Sequence, residues 1–271
     1  MKRDPHKLCI ITDLDGTFLP ASKVPLPRDL AAVRRFEAAG GLFTIATGRT
    51  IEASKRYPLE LGLKSPMIVY NGCGIYDAAA ERLLYLHPLP DKARDYTRRV
   101  VQEMPHAGCE VLCAESTWVV NDTPAEQEHI KICGVTPFYG TADEVDGTWL
   151  KVLFAMPSAQ IPAFIDYIDR CGFEDVDFIR SESRFYEMLP QGVSKGSALT
   201  AYRSLPGMEG YAFIAVGDYD NDIEMLRAAD IAVCPKNAAA SAKACADIVL
   251  SRTCEEGAME ELIDRLLAGE V

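Results

Sequence analysis

The run Cys9-Ile10-Ile11-Thr12-Asp13-Leu14-Asp15-Gly16-Thr17-Phe18-Leu19 passes from unbroken apolar sequence into two carboxylates one residue apart. Residues 8–11 are apolar and rich in β-branched side chains, the composition of a strand buried on both faces of a parallel sheet. In open α/β sheets ligands bind beyond the carboxyl ends of the strands, so Asp13 and Asp15 would face the crevice where chemistry occurs. Two anions this close repel each other unless a cation lies between them or one holds a proton. Asp and Gly are also ordinary turn formers, so the segment by itself equally describes a strand-to-turn junction. It does not fit a calcium-binding EF-hand loop. There glycine takes the sixth position, and Gly16 is the fourth counting from Asp13.

Outward from this strand the chain alternates. A helix is predicted over residues 28–39, with Leu30, Val33 and Phe36 on one face and Gly40-Gly41 as its stop signal. A second buried strand, 42–46, runs into Thr47-Gly48-Arg49. Residues 51–61 read as a helix interrupted near Pro58, and 66–70 as a third strand closed by the turn Asn71-Gly72-Cys73-Gly74. This is the pattern of a parallel sheet covered on both faces. From about residue 81 to 186 the alternation fails. Strands are predicted at 83–86, 151–156, 178–179 and 185–189, a hairpin from 110–113 and 118–120, and helices at 91–103 and 161–171. Alternation resumes with a helix at 195–203 and a strand at 211–216, which ends in Gly217-Asp218-Tyr219-Asp220-Asn221-Asp222. Helices at 223–229, 238–245 and 257–267 and strands at 231–233 and 248–250 complete it. The expected fold class is α/β, a Rossmann-like parallel-sheet core of residues 1–80 and 188–271 with an inserted α+β unit of residues 81–187.

Composition narrows the function. Of 271 residues, 48% are hydrophobic and 25% charged, which is ordinary for a soluble globular protein. Lys and Arg total 28 against 40 Asp and Glu, a net charge of −12, so neither nucleic acid nor an anionic membrane surface is the expected partner. Nine cysteines occur without a CxxC pair, which reads as reduced thiols in a cytosolic protein. Met1-Lys2-Arg3-Asp4-Pro5 leads straight into the first strand without an apolar signal segment, and no run is long enough to span a bilayer. The expected location is the cytoplasm.

Four polar clusters fall where predicted core strands end or helices begin: Asp13/Asp15, Thr47-Gly48-Arg49, Lys195, and Asp218 with Asn221 and Asp222. Each alone has a plain alternative as a helix cap, a turn residue or a solvated side chain. Strands of a parallel sheet end on one edge, however, so three of the clusters converge there, and the helix start bearing Lys195 is within reach. Asp13, Asp15, Asp218 and Asp222 crowd negative charge into one volume. A divalent cation resolves that crowding, and hard oxygen ligands favour Mg²⁺. Thr47, the amides beside it and Lys195 supply donors and positive charge suited to phosphate. The set describes phosphoryl transfer without a Walker A loop, since no Gly-Lys-Ser/Thr occurs at the required spacing.

On these residues the chain resembles the haloacid dehalogenase superfamily of phosphohydrolases, in its Cof-type subclass IIB. Asp13-Leu14-Asp15-Gly16-Thr17 matches the first motif, Thr47-Gly48-Arg49 the second, Gly192-Val193-Ser194-Lys195-Gly196 the third, and Gly217-Asp218-Tyr219-Asp220-Asn221-Asp222 the fourth. The resemblance implies Asp13 as nucleophile and Asp15 as general acid and then base. It implies Mg²⁺ held by Asp13, the Asp15 backbone carbonyl and Asp218, with Asp222 in support. Thr47, Gly48 and Lys195 would bind the phosphoryl group, with Asn221 orienting either that group or Asp13; Arg49 would either reach the substrate or be a surface arginine at the helix start. The inserted unit would be the α/β cap that closes over the site and chooses the leaving group. Where relatives often carry a Gly-Asn-Ala turn, this chain reads Cys234-Pro235-Lys236-Asn237-Ala238, a departure that bears on substrate contacts more than on chemistry. The expected activity is Mg²⁺-dependent hydrolysis of a small phosphorylated metabolite, a sugar phosphate or phosphorylated cofactor. A phosphomannomutase-like phosphomutase is the alternative. It would need a second phosphate site from cap residues such as Arg98, Arg99, Lys131, Lys151 and Arg180. A non-catalytic metabolite-binding protein is the third reading. His87, His106 and His129 share no ligand spacing and are expected to be structural or solvated, Trp118 and Trp149 to be cap core, and Cys73 to be an inert buried thiol.

Overall fold

All five residues of the strand Leu8–Thr12 are buried, which is why its sequence is continuously apolar rather than alternating. It lies inside a five-stranded sheet whose order is Ile248–Val249, Ile231–Cys234, Ala212–Val216, Leu8–Thr12, Leu42–Ile45. Every pairing is parallel, with Leu8 opposite Ala212 and Cys9 opposite Leu42. The computed structural model describes residues 5–271, and these form two units. One contains this sheet and takes in the chain up to Gly48, Arg56–Tyr85 and Ser194–Val271; the other is Arg49–Lys55 with Leu86–Val193.

In the first unit the helix Pro27–Ala38 packs on Ala258–Ala268, burying Val33 and Phe36 on one side and Leu262, Ile263 and Leu266 on the other. The helix Lys195–Tyr202 packs beside Ile223–Ala228. The third predicted strand, Met67–Val69, differs from expectation. It touches the parallel sheet through a single bridge, Ala46 to Ile68, and then runs antiparallel to Gly74–Asp77, which is followed by Arg82–Leu86. Tyr70 and Asn71 both take positive φ, 53° and 54°, and reverse the chain at this point. The helix predicted over 51–61 is two helices, Tyr57–Leu61 in this unit and Ile51–Ser54 in the other. Pro58, which has no N–H to give, sits in the first turn of Tyr57–Leu61.

The inserted unit holds a six-stranded sheet in the order Val176–Glu182, Phe185–Pro190, Trp149–Ala155, Gly108–Cys113, Thr117–Asn121, Phe138–Tyr139. All pairs are antiparallel except the last. Ala93–Glu103 and Ile161–Cys171 cover one face around Val111, Val152, Phe154, Phe164, Ile168 and Met188. The register sets Glu110, Lys151 and Glu187 on the opposite face. A helix absent from the sequence reading, Pro124–Cys133, begins at Thr123, whose hydroxyl accepts the Glu126 N–H, and ends at Gly134. His129 on this helix pairs with Glu110 at 3.2 Å and meets the Phe185 ring edge-on, a structural role as expected. Trp149 is core, and Trp118 stacks on Phe138. Of the basic residues weighed for a second phosphate, Lys151 is buried against Glu187 at 2.6 Å. Arg98 pairs with Asp95 and Asp143, and Arg99 with Glu103. Arg180 donates to the carbonyls of Glu182 and Ser183, and Lys131 is exposed. Among the described residues no helix is long and apolar enough to cross a membrane.

Candidate active site

Beyond Thr12 the Asp13 N–H extends the parallel ladder by donating to the Val216 carbonyl at 2.8 Å. The chain then turns tightly, with the Phe18 and Leu19 N–H groups both returning to the Leu14 carbonyl. Leu14, Phe18 and Leu19 are fully buried and anchor the loop from below. Gly16 sits at φ +84°, and a Cβ there would lie 2.7 Å from Asp218 Oδ2. The hydroxyl of Thr17 donates to Asp218 Oδ1 at 2.5 Å. The first and fourth clusters are thus locked together across 201 positions of sequence.

The Asp218 loop is shaped by Asp222, whose Oδ2 accepts the N–H groups of Asp218 and Tyr219. Lys195 opens its helix behind a reciprocal Ser194–Ser197 cap and is fully buried. Its Nζ donates to Asp13 Oδ1 at 2.5 Å and to Asp222 Oδ1 at 2.7 Å. Asp13, Asp218 and Asp222 each offer a carboxylate oxygen within 4.8 Å of the others. Burial pushes the Asp13 carboxyl well above its usual range. Lys195 works against that rise, and Asp222, Asp218 and Asp15 add to it. Burial and then Asp222 push Asp218 up to about 7, with the Thr17 hydrogen bond opposing. For Lys195, burial favours the neutral form, but Asp13 and Asp222 outweigh it and the ammonium is held above its usual range.

One lysine therefore faces three close acids, with Asp15 near them, and the excess of negative charge suits a cation. Both oxygens of Asp222 already accept hydrogen bonds, from Lys195 and from two backbone N–H groups, so Asp222 braces the site. Asp13 and Asp218 bring the remaining hard oxygen donors, a set that could hold a metal ion.

Thr47 follows the neighbouring strand; its N–H donates to Ile68 O and its carbonyl accepts the Asn71 N–H at 3.1 Å. Asn71 Oδ1 in turn accepts from Asn221 Nδ2 at 3.1 Å, and Gly48 lies against the same side chain. Thr47, Gly48 and Asn221 are thereby gathered around Asn71, which the sequence reading took only for a turn former. Its signal was an Asn-Gly pair just past a buried strand, where Asn tolerates positive φ. Lys23 was missed altogether. It comes from a proline-rich loop, and its Nζ lies 2.6 Å from Asp15 Oδ1. Arg49 stands half-buried in the loop before Ile51–Ser54 and belongs to the other unit. Asn237, beside the Pro-Lys departure, donates to the Gly16 carbonyl at 2.7 Å and accepts the Cys254 N–H, so Asn237 keeps the loop pinned.

The sequence model of the haloacid dehalogenase-like hydrolases matches residues 10–262. The chain belongs to that family. In fold this hydrolase is similar to the subclass IIB sugar phosphatase BT4131, with a TM-score of 0.79 at 17% identity over 95% of this chain and 98% of that one. Pyridoxal phosphate phosphatase YbhA of Escherichia coli is 30% identical to this hydrolase over 262 residues, which cover 89% of this chain and 92% of that protein. The 5-amino-6-(5-phospho-D-ribitylamino)uracil phosphatase YwtE of Bacillus subtilis is 26% identical, over 97% of this chain and 99% of that protein. In fold, it is similar to a haloacid dehalogenase-like hydrolase from Bacteroides thetaiotaomicron, with a TM-score of 0.80 at 22% identity over 96% of this chain and 99% of that one. This hydrolase is a phosphatase, a phosphoric monoester hydrolase.

Proposed function

We propose that this phosphatase hydrolyses a small phosphorylated metabolite through an aspartyl-phosphate on Asp13. The observation that carries the reading is the buried Lys195 ammonium 2.5 Å from Asp13, at the end of the central strand and within an acidic triad. A carboxylate oxygen of Asp13 attacks phosphorus. The ester P–O bond breaks, its electron pair stays on the leaving oxygen, and that oxygen takes the proton of the Asp15 carboxylic acid. Water then attacks the phosphorus of the aspartyl-phosphate and gives a proton to the Asp15 carboxylate. The bond to Asp13 breaks and inorganic phosphate leaves, so the sum is ester plus water to alcohol plus phosphate.

Asp13, Asp218 and the Asp15 backbone carbonyl would hold Mg²⁺, braced by Asp222. When bound, the ion supplies positive charge beside the phosphoryl oxygens. Thr47, Gly48 and Lys195 would donate to those oxygens, and Asn221 would orient the group through Asn71. We assign residues 1–80 and 188–271 to the catalytic core. Residues 81–187, the cap, choose the leaving group, with Arg49 reaching the substrate. The similar phosphatases named for pyridoxal phosphate and for a ribitylaminouracil phosphate support a phosphorylated cofactor or its precursor as substrate, beside sugar phosphates. Nine cysteines without a disulfide support a cytoplasmic location.

Phosphate release from a panel of such esters, with Mg²⁺ and with EDTA, tests the reading when wild type is run beside Asp13→Asn. Turnover that requires both the metal and Asp13 is expected. Full activity in Asp13→Asn would overturn the nucleophile.

A further inference from the structure

Asp15 has a partner that none of the four motifs contains. Lys23 reaches back across the loop after the first strand and sets its ammonium 2.6 Å from Asp15 Oδ1. Ion pairs near a protein surface usually contribute little, because the side chains must be ordered to make them. Here the lysine backbone is already ordered. Lys23 holds φ +58°, a left-handed conformation that a side chain rarely adopts and that persists only when its surroundings over-determine it. Its N–H donates to the Pro20 carbonyl at 2.9 Å. Its carbonyl accepts from the Arg56 guanidinium and from the Tyr57 hydroxyl. Arg56 and Tyr57 are themselves joined, by a 3.0 Å hydrogen bond and by the guanidinium lying 4.8 Å over the ring, and Tyr57 is fully buried at the start of its helix. The path from the core to Asp15 therefore runs Tyr57, Arg56, Lys23.

We propose that Lys23 is a positioning residue of the phosphatase reaction: its ammonium fixes the rotation of the Asp15 carboxyl group, and Arg56 with Tyr57 fixes Lys23. The inference rests on the acid–base role proposed for Asp15. In the first half of the reaction the Asp15 proton must meet the leaving oxygen as the P–O bond breaks, and in the second the carboxylate must meet the proton of water. Both transfers are sensitive to small errors in placement. An ester whose leaving group is stable as an anion needs the first transfer little, so misplacing Asp15 harms it least. A lysine acting only on loop stability would affect all esters alike.

The test compares kcat/KM for p-nitrophenyl phosphate and phenyl phosphate in wild type, Lys23→Met, Lys23→Arg and Asp15→Asn, with melting temperatures as the measure of folding. For Lys23→Met the expectation is a change within about 3-fold on the nitrophenyl ester and a loss of about 10-fold or more on the phenyl ester. Lys23→Arg restores most of that loss, and Asp15→Asn shows the same selectivity more deeply. Equal losses on both esters in Lys23→Met, with Asp15→Asn still selective, overturn the positioning role and leave Asp15 standing. An unselective Asp15→Asn overturns the acid role itself, and this inference with it.

Discussion

Lys195 Nζ lies 2.5 Å from Asp13 Oδ1, joining residues 182 positions apart in a place where the lysine has no exposure to water. An ammonium so buried is stable only because Asp13 and Asp222 surround it, and the two acids depend on it in the same way. Removing one member of a buried pair costs about 3–5 kcal/mol, since the other is left uncompensated. Lys195→Met is therefore expected to lower the urea midpoint in EDTA and to reduce kcat/KM by about 100-fold or more. Urea unfolding and phosphate release measure the two effects separately. An unchanged midpoint would mean that the site tolerates bare acids.

Metal binding should depend on pH in a defined direction. Asp218 is raised to about 7 in the folded protein, above its unfolded value of about 3.9. The stability this shift contributes is present below the unfolded value and is lost as pH rises through about 7. A cation must displace that proton to bind. The rise in melting temperature on adding MgCl₂ is expected to be larger at pH 8 than at pH 5.5. Calorimetry in two buffers of different ionisation enthalpy should detect protons released on binding at the lower pH and few at the higher. A pH-independent gain would contradict the assignment of Asp218.

Gly16→Ala places a methyl group 2.7 Å from Asp218 Oδ2 at φ +84°. The expected result is a rise of about tenfold in the Mg²⁺ concentration for half-maximal activity, because the new atom displaces a proposed ligand. Gly62→Ala is the control. It has a similar φ of +66° and no atom within 4 Å of the added Cβ, so it should lose about 1 kcal/mol of stability and keep its metal requirement. Metal titrations of the two variants separate backbone strain from damage at the site.

In the inserted unit Lys151 and Glu187 form a buried pair at 2.6 Å. Lys151→Met alone removes the ammonium that faces the buried Glu187 carboxylate and is expected to cost about 3–5 kcal/mol. The double variant Lys151→Met with Glu187→Leu removes both charges and should recover most of that loss. Trp118 and Trp149, the two tryptophans of the chain, both lie in this unit, so their fluorescence in urea reports its unfolding. A double variant as unstable as the single would show that the pair is not coupled.

The elements and motifs readable in the sequence are those whose signal is local. The apolar run before Asp13, the helix at Ile161–Cys171 with its strong apolar face, and the acids at strand ends all follow from periodicity and burial. The helix Pro124–Cys133 escaped because its fully buried side chain is Glu126, with His129 packed beside it, so no apolar stripe marks its inner face. Burial and then Glu110 push the Glu126 carboxyl well above its usual range, which favours its neutral form and eases a polar side chain into a core position. The turn into Gly74–Asp77 depended on left-handed conformations at Tyr70 and Asn71, and tyrosine gives no warning of one.

By itself the sequence determined that Asp13 ends a buried strand, that Asp218 ends another, and that Lys195 begins a helix, because each is settled by neighbours a few residues away. Only the tertiary structure decided that the strands of Asp13 and Asp218 lie side by side, that Lys195 reaches between Asp13 and Asp222, and that Lys23 turns back to Asp15. Those contacts depend on strand order and on loop backbone geometry. Both are set by the packing of the whole unit, and neither leaves a periodic trace in the chain.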